Sequence, residues 1–319
     1  MDTIVVGIDV SKDWLDVAVR PAGERLRVSR DAEGLDTLVA RLLPMAPAVV
    51  VAVEATGGYE SVVAAALAGA GLAVVVVNPA QVRAFAQALG RRAKTDPIDA
   101  GVIAHFVEAT KPEVRALPDA ETRRLADLVA RRRQIIQMIV AERQRQKRLT
   151  EPRLQKSIAR LLAALQKELS RLETDIDEAV RGSPAWCEKE ELLTSVLGIG
   201  KIIARTLLAE LPELGNIDRR KAAALTGLAP WTRQSGQWKG KSFIGGGRAP
   251  VRAALFVGAM VAARHNPELK AFRDRLVQAG KPKLVALVAT ARKLLTILNA
   301  ILRDGRPWQE GQAHAAASS

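Results

Sequence analysis

The chain is poor in several residue types, and each scarcity excludes something. It has one cysteine in 319 residues, Cys187, so no internal disulfide framework exists and a reducing cytoplasm is expected. One cysteine and three scattered histidines also argue against a Cys/His zinc site. His105 is six residues past Asp99, on another helix face, and His265 precedes Asn266-Pro267 at a helix end, so neither has the spacing of a ligand pair. Aromatics make up 3% of the chain, and the one tyrosine, Tyr59, argues against a tyrosine-nucleophile recombinase. No basic n-region precedes the first apolar run, and the longest charge-free stretch, Ser61–Val82, is broken by Gly69, Gly71 and Asn78-Pro79. Neither an export signal nor a membrane span is expected.

What is abundant is positive charge, at +14 formal net with 48% hydrophobic residues, ample for real cores. The charge is unevenly placed. Residues 1–120 carry 12 Lys+Arg and 15 Asp+Glu, residues 121–190 carry 16 and 11, and residues 191–319 carry 20 and 8. A domain-sized block at +12 is the footprint of a phosphate-backbone partner, against the blander alternative of a solvated basic face. Four segments are expected: an α/β domain over 1–118, a helical hairpin or coiled coil over 119–185, a mainly helical domain over 186–304, and a frayed tail over 305–319.

The first domain reads as three strands (4–10, 15–19, 24–29), a helix (32–43), a strand (48–54), a helix (59–69), a strand (72–77) and helices at 79–89 and 96–109. A βββ meander followed by αβαβα is the connectivity of the ribonuclease-H-like fold. Over 119–182 glycine almost vanishes, and Leu154, Ile158, Leu161, Leu162, Leu165, Leu169, Leu172 and Ile176 recur at helical steps. Thr150 is expected to cap the second helix, with Pro152 in its first turn.

Asp9 stands on the first apolar strand and Glu54 ends the second, and ligands collect at the carboxyl ends of such strands. Asp96 and Asp99, three apart, share a helix face. Four hard oxygen donors from three elements suit Mg²⁺ or Mn²⁺. Taken alone, Asp96-Pro97-Ile98-Asp99 is also a good helix start and Asp9 could be a salt-bridge partner; the set of four, in this order, favours metal. Asp13 and Asp16 read as solvated.

In the basic block, Leu197-Gly198-Ile199-Gly200-Lys201 lies between two apolar helical segments and looks like a helix-hairpin-helix, whose Gly-rich turn offers N–H groups to a phosphate. An ordinary helix–helix turn is the alternative. A loop follows with Arg233, Ser235, Gly236, Trp238, Lys239, Lys241 and, after three glycines, Arg248, a mixture suited to stacking and phosphate contact. Ser235 could be an activated nucleophile; loop serines are far more often turn residues, and Ser242 is a rival.

As a set, Gly7-Ile8-Asp9-Val10-Ser11-Lys12, Glu54-Ala55-Thr56-Gly57-Gly58 and Lys94-Thr95-Asp96-Pro97-Ile98-Asp99-Ala100 resemble the RuvC-like domain of the DEDD insertion-sequence transposases. These are related to the Piv-type DNA invertases and are also called bridge recombinases. Leu197–Gly200, Leu225–Pro230, Ser235-Gly236 and Gly245–Arg248 resemble their second characteristic domain. The resemblance implies a metal-binding tetrad of Asp9, Glu54, Asp96 and Asp99 and a Ser235 nucleophile that forms a phosphoserine link to DNA. It also implies a site shared between subunits of a homodimer or homotetramer, and a structured non-coding guide RNA. The competing readings are a RuvC-like nuclease with water as nucleophile, a non-catalytic nucleic-acid scaffold, and a sugar kinase, which a +12 domain makes the least apt.

Overall fold

The computed structural model describes residues 4–55, 57–90, 96–114, 119–232, 234–235, 238–240 and 242–309, the side chains of 96–98 and 238–239 excepted. Thr56, Lys94, Thr95, Arg233, Gly236, Lys241 and the last ten residues, among the positions singled out above, lie outside that description. The chain divides into two compact units, Met1–Leu117 and Pro118–Ser319.

The first unit is a five-stranded sheet with helices on both faces. Strands β1 (Ile4–Val10), β2 (Trp14–Arg20) and β3 (Glu24–Ser29) form an antiparallel meander, followed by α1 (Ala32–Leu42), β4 (Val49–Glu54), α2 (Tyr59–Gly69), β5 (Ala73–Val77), α3 (Pro79–Ala88) and α4 (Asp96–Thr110). The strand order is β3-β2-β1-β4-β5, with β1 parallel to β4 and β4 parallel to β5. This is the element order expected from the sequence. Alternation along the strands separates two cores. Val6, Ile8, Val10, Leu15, Val17, Val51 and Val53 pack with Leu35, Leu38 and Leu67 of α1 and α2. Val5, Ala52, Val75 and Val77 pack with Val102, Ile103, Ala104 and Val107 of α4.

One residue sets how closely α4 approaches. A Cβ on Gly7 would stand 2.2 Å from the Ala100 carbonyl oxygen and 2.4 Å from the Ala104 nitrogen. Gly7 is flanked in register by Ala18 and Ala52, so three small residues make a flat floor for the helix. Gly7→Ala is therefore expected to cost about 3 kcal/mol, because backbone cannot yield as a side chain can; urea unfolding of the variant measures it.

The second unit begins with two long helices, α5 (Ala120–Gln146) and α6 (Pro152–Arg181), joined by residues 147–151. Ile135 and Ile139 meet Leu162, Leu165 and Leu172, while Leu125 and Val129 meet Ile176 and Val180. Two members of the expected stripe face solvent instead: Leu154 is 49% exposed and Leu161 44%. A second correction concerns the cap. Glu151, not Thr150, closes the N-terminus of α6, its carboxylate accepting from the N–H groups of Arg153 and Leu154.

Helices α7 (Pro184–Thr194), α8 (Lys201–Glu210), α9 (Arg219–Leu225), α10 (Ala249–His265), α11 (Pro267–Gln278) and α12 (Lys283–Asp304) build the remainder, with a small hairpin of β6 (Gln234–Ser235) and β7 (Trp238–Lys239) between α9 and α10. Helix α12 supplies Ala291, Leu294, Leu295, Ile297, Leu298 and Ile301 to the core. By length and composition it alone among the described residues could cross a membrane, and half of its most apolar window is buried in this core. Its buried Asn299 is fully engaged: Nδ2 donates to the Ile217 carbonyl and Oδ1 accepts from Gly215 N–H. Residues 305–309, the described start of the expected tail, follow α12. Gly305 adopts the left-handed region (φ 61°), Trp308 packs against the core, and its backbone N–H donates to Ser195 Oγ at 2.8 Å.

Arg205 of α8 ties the long helices to this core, bridging Asp177 at 2.5 Å and Glu190 at 2.6 Å. The Arg205 hydrogen bond holds the Asp177 carboxyl below the usual carboxylate value. A depressed folded-state value contributes stability that is present at neutral pH and lost as pH falls through it. The native protein should therefore lose melting temperature faster than Asp177→Asn as pH is lowered from about 5 to about 2, a difference that parallel melts at each pH resolve.

Candidate active site

The candidate residues fall into two sets, one in each unit. In the first, the parity that puts Val5 and Gly7 under α4 also puts Asp9 on that face, and the parity of Ala52 puts Glu54 there. Ile8 pairs with Val53 in parallel register, so Asp9 and Glu54 are neighbours at the carboxyl ends of their strands. Helix α4 begins at Asp96 and carries Pro97 in its first turn, where proline does no harm. Ala100 and Ala104 lie over Gly7, and Glu108 bonds Arg20 at the far end of β2, so α4 runs opposite to β1. Its first turn, with Asp96 and Asp99, therefore lies toward the strand ends that hold Asp9 and Glu54. A helix N-terminus also favours carboxylates in its first turn.

Asp16 contradicts the sequence reading. It stands opposite Asp9 in the β1–β2 ladder, is 4% exposed, and receives a bidentate clamp from Arg27, with Nε and Nη2 each at 2.9 Å. Asp16 does alternate with Leu15 and Val17 and so takes the opposite face of β2, but that face is covered. The row across the sheet is thus Glu54, Asp9, Asp16 and Arg27. Every donor in it and in α4's first turn is a hard oxygen, the set a divalent cation of the Mg²⁺ or Mn²⁺ kind prefers. Among the described residues no three His, Cys, Asp or Glu side chains stand close enough together to hold one ion, and the Asp96 side chain lies outside the description. Beside the row, Gly57 (φ 83°) and Gly58 (φ 130°) turn the chain into α2, and the Arg30 guanidinium lies 4.7 Å from the centre of the Tyr59 ring.

The second set surrounds Ser235, which is exposed at the end of β6 and faces Trp238 across the hairpin. The side chains of Trp238 and Lys239 lie outside the description. Trp231 and Phe243 form a β-bridge below the hairpin, their rings near parallel at 16° with centroids 6.4 Å apart, both substantially exposed. The rival hydroxyl, Ser242, is also exposed and is within hydrogen-bonding distance of Thr232 Oγ, 3.2 Å away.

Arg248, expected to contact nucleic acid, has its guanidinium on Glu213 in a bidentate pair at 2.5 and 2.6 Å. A partner 35 residues away in sequence fixes it as an anchor of the loop. Arg252 adds a second anchor, donating to the carbonyls of Thr226 and Gly246. Gly247 (φ 58°) leaves no room for a side chain, since a Cβ would meet Gly227 N at 2.4 Å. The loop carrying Ser235 is therefore pinned at its base. In the turn before α8, Gly198 (φ 107°) is required by packing, because a Cβ would stand 2.8 Å from atoms of Ala262 and Gly258. Gly200 is the N-cap of α8 with open space beside it, and Lys201, the first residue of the helix, is exposed.

Comparison with known proteins places both sets within one family. Residues 6–152 match a family profile described as Transposase, of the DEDD type, and residues 190–274 match one described as Transposase IS116/IS110/IS902 family. The chain is 29% identical over 262 residues to the pilin gene-inverting protein of Moraxella bovis, covering 81% of each chain, and equally so to that of Moraxella lacunata. It is 30% identical over 151 residues to an uncharacterized 43.6 kDa protein of insertion element IS110 from Streptomyces coelicolor, covering 47% of this chain and 36% of that one. The carboxylate row, the serine hairpin and these matches together make the chain a DEDD-type insertion-sequence transposase, a DNA recombinase enzyme.

Proposed function

We propose that the enzyme cuts and rejoins DNA through a phosphoserine intermediate. Asp9, Glu54, Asp96 and Asp99 would hold Mg²⁺ or Mn²⁺, and Ser235 would be the nucleophile. The observation that carries the reading is the side-by-side placement of Asp9 and Glu54 at the strand ends under the first turn of α4. A bound divalent ion supplies charge neutralisation at the phosphate and favours an ionised hydroxyl. Ser235 Oγ then bonds to phosphorus as the bond to one deoxyribose oxygen breaks, and that oxygen leaves with a proton. A deoxyribose hydroxyl of another strand attacks the phosphoserine in turn, restoring Ser235 and one phosphodiester. Bond energy is kept, so no nucleotide cofactor is needed. The basic second unit grips the backbone, with Gly200, Lys201, Arg233, Lys239 and Lys241 as phosphate contacts and the exposed rings as stacking surfaces.

The further features follow the same reading: a ribonuclease-H-like first unit, a coiled coil in α5 and α6, a helix-hairpin-helix at 197–201, a structured non-coding guide RNA and a homodimer or homotetramer working on chromosomal DNA in the cytoplasm. The active site is completed between subunits, tetrad from one and serine from another. Mixing Asp9→Asn with Ser235→Ala tests this. Each variant alone gives no recombinant junction from a donor and target plasmid pair, and the mixture regains a substantial fraction of native activity. A mixture as dead as its parts refutes a shared site, and an active Ser235→Ala parent refutes the serine. Co-purification of one discrete RNA, weakened by salt, tests the guide.

A further inference from the structure

The carboxylate row holds one more acid than the proposed tetrad uses. Asp16 shares its face with Asp9 and Glu54, is opposite Asp9, and is as buried as the core. Directly opposed like charges are unfavourable in an antiparallel pair, and an unpaired buried carboxylate is costly. Arg27 answers both. It stands opposite Asp16 on β3, and its planar fork matches both carboxylate oxygens. The clamp keeps Asp16 turned to the edge strand, away from Asp9.

We propose that Asp16 and Arg27 form a charge-setting pair for the metal site, holding a fifth carboxylate off the cation while cancelling its charge. Both are positioning residues, acting through Asp9. The inference rests on the metal-binding reading above. The pair leaves the four tetrad carboxylates as the net negative charge that the bound cation meets. Without Arg27 the face carries an extra negative charge and a rival ligand; without Asp16 an uncompensated guanidinium stands beside the cation.

The two losses therefore push cation affinity in opposite directions, which a merely structural pair would not do. The test is Mn²⁺ binding to the full-length protein by calorimetric titration, with melting curves to establish folding. Arg27→Met is expected to tighten Mn²⁺ roughly tenfold, and Asp16→Asn to weaken it roughly tenfold, from one unit charge a few ångströms beyond Asp9. The double variant returns to within about threefold of native, and Arg27→Lys, which keeps the charge, stays near native. Saturable native binding with both single variants shifted the same way, or neither shifted, overturns the pair's role and leaves the tetrad standing. No saturable binding by the native protein, with Asp9→Asn no different, overturns the tetrad and this proposal together. If Asp16→Asn does not fold, Arg27→Met and Arg27→Lys decide: tightening in the first alone supports the proposal, and its absence overturns it.

Discussion

Ser235→Ala abolishes strand cutting and joining, with rates expected to fall at least about 10⁴-fold, while the affinity for DNA stays within about threefold of native. The size of the loss follows from the proposed phosphoserine route, in which Ser235 Oγ is the atom that would form the covalent link. Water offers no equivalent oxygen held on a pinned loop. Binding survives because Ser235 is exposed on a two-residue strand and contributes nothing to the core. The loop's anchors are elsewhere: Arg248 on Glu213, Arg252 on two carbonyls, and Gly247 against Gly227. Ser242→Ala is the matched control. Its hydroxyl is 3.2 Å from that of Thr232, and its loss should change rates by less than about tenfold. A plasmid recombination assay with a parallel filter-binding assay separates the two quantities.

Asp9→Asn has the second largest effect, a loss of about a thousandfold or more in cutting, with folding unaffected. Asparagine matches the carboxylate in shape, so the β1 register and the small-residue floor under α4 persist. What changes is charge. One neutral amide replaces a carboxylate at the centre of the row, and on the proposed reading the hold on a divalent cation weakens. Glu54→Gln should behave alike, as its carboxylate is the neighbour of Asp9 at the next strand end. Raising Mn²⁺ should recover part of the Asp9→Asn loss and none of the Ser235→Ala loss. That contrast distinguishes a ligand from a nucleophile.

Much of this was legible in the sequence because strands buried on both faces are near-continuous apolar runs. A charge such as Asp9 or Glu54 in such a run is conspicuous. Asp16 escaped notice for a physical reason. Period-two alternation tells which residues share a face, not whether something covers it. Helix α4, some eighty residues later, covers that face, and Arg27 on the edge strand completes the enclosure. The Glu213 partner of Arg248 is equally invisible to sequence spacing, because the two meet only in space, 35 residues apart. Leu161 fits the helical stripe by spacing alone, but an apolar residue at the stripe's border faces solvent once the partner helix takes its place. The Trp308 contact with Ser195 is not legible in the sequence, because Gly305 marks where the helix stops and not where the chain goes next.

The central claim is a covalent serine–DNA intermediate, and one measurement addresses it directly. The native protein is incubated with a donor DNA end nicked beside the cleavage position, so that rejoining fails, then denatured, digested and analysed by mass spectrometry. The account predicts a nucleotide adduct on the peptide that contains Ser235, absent from Ser235→Ala and strongly reduced in Asp9→Asn. Cleaved DNA with no adduct on any residue, or an adduct that persists in Ser235→Ala, would contradict it.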